Sequence, residues 1–185
     1  MRSSVLRIRK TRLVAGERGA SLVETLVVLA LAGVTLAVAT NTSIDWIARE
    51  EMRSSVYSVQ TYLQTARLQA VSRNRSCQFR VDSSTRRVQV FDLNNPLSTT
   101  DDILLSQTTL SPKVSFARPD SGTPITLGLS SGTTYQATFS PDGIVTSGVG
   151  TIAILGGTKY DRIDLYAAGG TKIWRWDGTT WMAGW

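Results

Sequence analysis

From Thr25 to Ile44 the chain carries no charged residue. Twenty helical residues at 1.5 Å each span about 30 Å, the hydrocarbon thickness of a bilayer, so the run predicts a membrane-length helix. Past Asp45 the pattern turns amphipathic. Met52, Val56, Val59, Leu63, Ala66 and Ala70 recur at spacings of four and three, drawing one apolar stripe, while Arg49, Glu50, Arg53, Gln60, Gln64 and Gln69 occupy the other faces. With no proline before Pro96, a single helix can run from Ala20 to about Arg73, roughly 80 Å. The stripe covers fewer than three heptads, which favours packing on a sheet over a coiled-coil seam. Arg73-Asn74-Arg75 ends the helix, with Asn74 suited to a left-handed C-terminal position.

After Ser76 the period becomes two. Cys77–Val81 and Arg87–Phe91 alternate around Asp82-Ser83-Ser84-Thr85 and predict a hairpin. Leu93 to Asp102 reads as a polar loop. Further strands are expected at Ile103–Leu110, Val114–Phe116, Ile125–Leu129, Tyr135–Phe139, Gly150–Leu155, Arg162–Tyr166 and Lys172–Trp176, separated by Gly, Ser, Thr, Pro and Asp. Asp177-Gly178 between Trp-bearing runs predicts a last tight hairpin. The expected fold class is α+β: a long N-terminal helix, transmembrane and then amphipathic, packed on an antiparallel β-sheet or sandwich domain. The divisions are a leader (1–19), a membrane or filament-core helix (20–44), its amphipathic continuation (45–75) and a β domain with a Trp-rich end (76–185).

Glu24 is the anomaly in this pattern. A lone carboxylate in a bilayer helix costs roughly 2.5–3.5 kcal/mol near the centre and less near an interface, so it calls for a partner. Charge distribution supplies a second signal. Arg2, Arg7, Arg9, Lys10, Arg12 and Arg18 are six of the 20 basic residues, against the single acid Glu17. Without residues 1–19 the chain keeps 14 basic and 13 acidic residues, a side-chain net of +1. The high pI therefore belongs to the leader, which sets an N-in, C-out topology. It is not a nucleic-acid footprint of the folded part. Gly19 precedes the apolar core, so cleavage there would leave the helix on the mature protein, unlike a secretory signal.

Cys77 is the only cysteine, which excludes an intrachain disulfide and suits a small buried hydrophobe. The chain has no histidine, so the usual general base and the commonest metal ligand are missing. Gly156-Gly157-Thr158-Lys159 and Gly169-Gly170-Thr171-Lys172 lack phosphate-loop spacing and read as two turns. No nucleophile–base set or metal constellation is visible, so neither an enzyme nor a cofactor is expected.

The junction Gly19-Ala20-Ser21-Leu22-Val23-Glu24, followed by Leu26-Val27-Val28-Leu29-Ala30, resembles the class III signal of type IV pilins and type II secretion pseudopilins. Ala20 stands where that family usually has Phe. Ala66-Arg67-Leu68-Gln69-Ala70-Val71-Ser72-Arg73-Asn74-Arg75 and Phe139-Ser140-Pro141-Asp142-Gly143-Ile144 resemble the GspH/FimT group of minor pseudopilins and pilins. The resemblance implies cleavage after Gly19 by a prepilin peptidase, N-methylation of Ala20, and pairing of Glu24 with a neighbour's N-terminal amine during assembly. Pairing lowers the cost of burying either charge. The resemblance also implies other pilins or pseudopilins and an inner-membrane assembly platform as partners. It places the protein in the bacterial inner membrane, among lipid, before it enters a periplasmic or extracellular filament. Related major pilins unwind near a Gly and a Pro in this helix. Here only Gly33 is present, and it suits either a local melt or close helix packing.

Two readings stand beside filament assembly. One is a DNA-binding minor pilin of the FimT kind, with Lys172 and Arg175 contacting phosphate and Trp174 and Trp176 stacking on bases. Asp161, Asp164 and Asp177 interleave with those cations and dilute the field. The other is a single-pass anchored β-domain protein that never joins a filament. For the tryptophans themselves, cross-strand pairing that closes the domain is the competing expectation to an exposed contact patch.

Overall fold

A computed structural model describes residues 21–94 and 101–184, apart from the side chains of 36–45. The first element, α1, spans Leu22–Arg73 without a break at Gly33. Between 22 and 35 its Leu and Val side chains are exposed all round, with no other described residue covering them. Among the described residues no helix is long and apolar enough to cross a membrane. The uncharged run continues to Ile44, and the side chains of 36–45 lie outside the described residues.

From residue 42 onward the chain forms one compact unit. Its helical part behaves as the spacing predicts: Met52, Val56, Val59, Leu63, Ala66 and Ala70 are all at most 2% exposed. The helix closes in a Schellman motif. Asn74 takes φ 51°, its N–H donates to Val71 O, and Arg75 N–H donates to Ala70 O at 3.1 Å.

Eleven strands follow among the described residues: β1 (Cys77–Asp82), β2 (Arg87–Asp92), β3 (Ile103–Thr109), β4 (Val114–Ser115), β5 (Gly128–Ser131), β6 (Thr134–Phe139), β7 (Val145–Ser147), β8 (Gly150–Gly156), β9 (Lys159–Leu165), β10 (Thr171–Trp176) and β11 (Trp181–Ala183). They make two antiparallel sheets, one ordered β3-β2-β1-β6-β5 with β7 attached to β6, the other β11-β10-β9-β8-β4. Phe79, Val81, Val88, Val90, Ala137 and Phe139 of the first sheet join Ile152, Ile154, Ile163, Leu165 and Ile173 of the second. Together with the helical stripe they form one core. Cys77 is buried in it, and desolvation, reinforced by the Asp92 charge, pushes its thiol up to about 11.

Two expectations shift. The strand expected at Ile125–Leu129 begins only at Gly128, because Ile125 is committed to an isolated bridge with Ile152 on the other sheet. β7 is an addition at Val145–Ser147, anchored by Val145 N–H to Ala167 O at 2.8 Å.

Candidate functional site

The cleavage and methylation positions, Gly19 and Ala20, lie outside the described residues. Glu24 falls in the first turn of α1, where an acid favours the helix dipole. Ser21 O and Leu22 O next to it accept from Thr25, the Thr25 Oγ1 to Leu22 O distance being 2.9 Å. Glu24 is exposed among Leu22, Val23, Val27 and Val28, and no described residue forms an ion pair with it.

At the C-terminal end, strand alternation divides the residues proposed for contact. Lys172, Trp174 and Trp176 share one face of β10, while Arg175 turns with Ile173 toward the other. On the outward face the aromatic rings are stacked with cations. Lys172 Nζ lies 4.0 Å from the Trp174 centroid, and the Arg162 guanidinium lies 5.5 Å from Trp174 and 4.8 Å from Trp181. Trp176 and Trp181 are cross-strand partners with centroids 5.3 Å apart at 62°. Trp181 Nε1–H donates to Asp120, whose carboxylate also pairs with Arg118. The Arg118 hydrogen bond, joined by that of Trp181, holds the Asp120 carboxyl well below the usual range. Arg162 pairs with Asp164 in the same way. The tryptophans thus close the β10–β11 hairpin, and most cations of this face already carry an acid.

Arg175 reaches Asp161, a carboxylate with no solvent exposure, at 3.3 Å. Desolvation pushes the Asp161 carboxyl up, opposed by the charges of Arg175 and Arg53. Asp177 caps the turn that follows. The N–H groups of Thr180 and Thr179 donate to Asp177 Oδ1 at 2.7 Å each and lower its pKa to about 2.

Beside this turn the structure assembles a feature that chain order hides. A cavity of about 440 Å³ is lined by Trp46, Arg49, Glu50, Met52, Arg53, Lys159, Arg175, Trp176 and Asp177. Lys159, the first residue of β9, reaches it because a glycine sits where the hairpin meets the helix. A Cβ on Gly156 would lie 2.5 Å from Met52 Cβ. Lys159 is brought to Arg49 by this packing alone, across 110 positions of sequence. Among the described residues no group of three His, Cys, Asp or Glu is placed to hold a metal ion.

No curated protein matches the chain. Its fold is similar to that of the minor pseudopilin EpsH from the type II secretion system of Vibrio cholerae, at 18% identity and a TM-score of 0.48. That match covers 66% of this chain and 95% of that one. It is also similar to the type IV minor pilin FimU of Pseudomonas aeruginosa, at 16% identity and a TM-score of 0.48, covering 68% and 89%. The family model described as type II transport protein GspH matches residues 56–169, from the buried helical stripe to the turn after β9. That match takes in more than half of the sequence, and the chain belongs to the GspH family.

Proposed function

We propose that this protein is a minor subunit of a type II secretion pseudopilus or type IV pilus and works by assembly. In this reading residues 1–19 are removed by a prepilin peptidase and Ala20 is N-methylated. Residues 20–44 hold the chain in the inner membrane and then enter the filament core, while 45–75 carry the β domain of 76–185. The topology is N-in and C-out, with the assembly platform and other pilins as partners.

The observation that carries the reading is Glu24, in a GspH-family chain, the one acid on an apolar helical turn that no other described residue covers. An acid in that setting gains most from a neighbour's new N-terminal amine, since each charge is costly in lipid alone and tolerable as a pair. Glu24→Ala tests it by immunoblotting the amount of this subunit recovered in sheared filaments. Incorporation is expected to fall at least about tenfold, because the neighbour's buried amine loses its counter-charge, a loss of several kcal/mol. Unchanged incorporation at normal expression would overturn the register role.

A further inference from the structure

The cavity beside the Asp177 turn holds two cations that the fold does not use. Of its acids, Glu50 lies 3.9 Å from Arg53, Asp177 is taken up by the Thr179 and Thr180 N–H groups, and Asp161 behind it pairs with Arg175. Arg49 and Lys159 are exposed and form no ion pair with any described residue. They also flank a second, smaller cavity of about 130 Å³ with Ala48, Gly156, Gly157 and Thr158. Its floor is the two-residue turn Gly157-Thr158, where Gly157 takes φ 61° and a Cβ there would sit 3.8 Å from Ala48. Two cations over a backbone turn, with Trp46 65% exposed alongside, suit a phosphate whose remainder is apolar.

Position along the helix selects the source of that phosphate. Ile44 ends the uncharged run, and at 1.5 Å per residue Trp46 stands about 3 Å and Arg49 about 7.5 Å beyond it. A headgroup layer is about 5–7 Å deep on each side of the hydrocarbon. Trp is favoured at that depth, and long basic side chains reach phosphate there while their stems stay against apolar surface. We infer that Trp46, Arg49, Lys159 and the Gly157-Thr158 turn form a docking site for an anionic phospholipid headgroup, which holds the β domain against the bilayer before assembly. The inference rests on the membrane placement of residues 20–44 proposed above.

The test uses the full chain in nanodiscs of phosphatidylglycerol or phosphatidylcholine, reading amide exchange at Gly157 and Thr158. Each basic residue near an anionic surface contributes about fivefold to binding, so exchange should slow about tenfold or more in phosphatidylglycerol. The effect should vanish in Arg49→Gln/Lys159→Gln and persist in Arg87→Gln, a remote exposed cation. High salt should abolish it in the unmodified chain, a readout that needs no variant to fold. Equal exchange in the two lipids overturns the site. So does equal slowing in phosphatidylcholine on adding inorganic phosphate, which would mark a free-anion site, or slowing that needs a second pilin subunit, which would mark a protein interface. A chain that fails to float with vesicles after an alkaline wash would instead sink the membrane placement, and insertion without lipid dependence would sink the headgroup site alone.

Discussion

Single side chains here are tuned by what they hold. Asp177 illustrates the sign. Its folded pKa of about 2 lies below the ordinary 3.8, so its stabilising contribution is complete above pH 4 and is lost as pH falls toward 2. Asp120 and Asp82 are depressed in the same direction. For Asp82 desolvation is the largest single influence and raises the pKa, but the Thr85, Ser84 and Thr133 donors together outweigh it. Asp161 runs the other way, since burial raises its pKa and its charged form burdens the fold at neutral pH. The melting temperature should therefore fall between pH 4 and pH 2. Asp177→Ala should lower it at pH 7 and lower it much less near pH 2, as read by circular dichroism in the two buffers. An equal effect of the substitution at both pH values would show that the turn does not depend on the carboxylate's charge.

At the scale of elements, the helical stripe is the joint on which both sheets settle. Leu63 is 1% exposed in that core and Leu68, on the same helix, is 66% exposed. Leu63→Ala should cost about 3 kcal/mol, the transfer term plus a cavity, whereas Leu68→Ala should stay within about 0.5 kcal/mol. Urea unfolding of the detergent-solubilised chain separates the two. Comparable losses would mean that the stripe is not what joins helix to sheets. Strand alternation is equally decisive for β10. Four residues that are close in sequence as one contact group become an outward cation–aromatic stack and, on the opposite face, one part-exposed arginine paired to buried Asp161.

For the whole molecule, charge and processing are one question. Residues 1–19 carry six of the 20 basic residues, and the removal proposed above would take the side-chain balance from +6 to +1. A subunit processed as proposed would be so nearly neutral that any electrostatic contact would depend on local clusters such as Arg49 with Lys159 rather than on net charge. Gly19→Ala should keep the leader attached, because a Cβ at the scissile glycine hinders the approach of a protease. Mass spectrometry should then find a chain still carrying residues 1–19. A mature start at Ala20 in that variant would remove the cleavage assignment.

What the sequence determined by itself was local and periodic. Spacings of three and four fixed the buried face of α1, Asn74 marked its end, and alternation located β1, β2, β6 and the Trp hairpin, because these depend on neighbours within a few residues. The GspH-family resemblance was legible in the same way, from short phrases at fixed positions. Tertiary structure alone decided the rest. β7 is three residues held by pairing with β6, too short for any period to register. The polar start of β9, Lys159-Tyr160-Asp161, shows no apolar alternation and becomes a strand through its ladder with β8. Ile125 was drawn to the second sheet by Ile152. The cluster of Arg49, Lys159 and Arg175 exists only because Gly156 lets a hairpin lie against Met52. Local sequence specifies which face of an element is apolar, but which distant face covers it depends on long-range packing that no local period encodes.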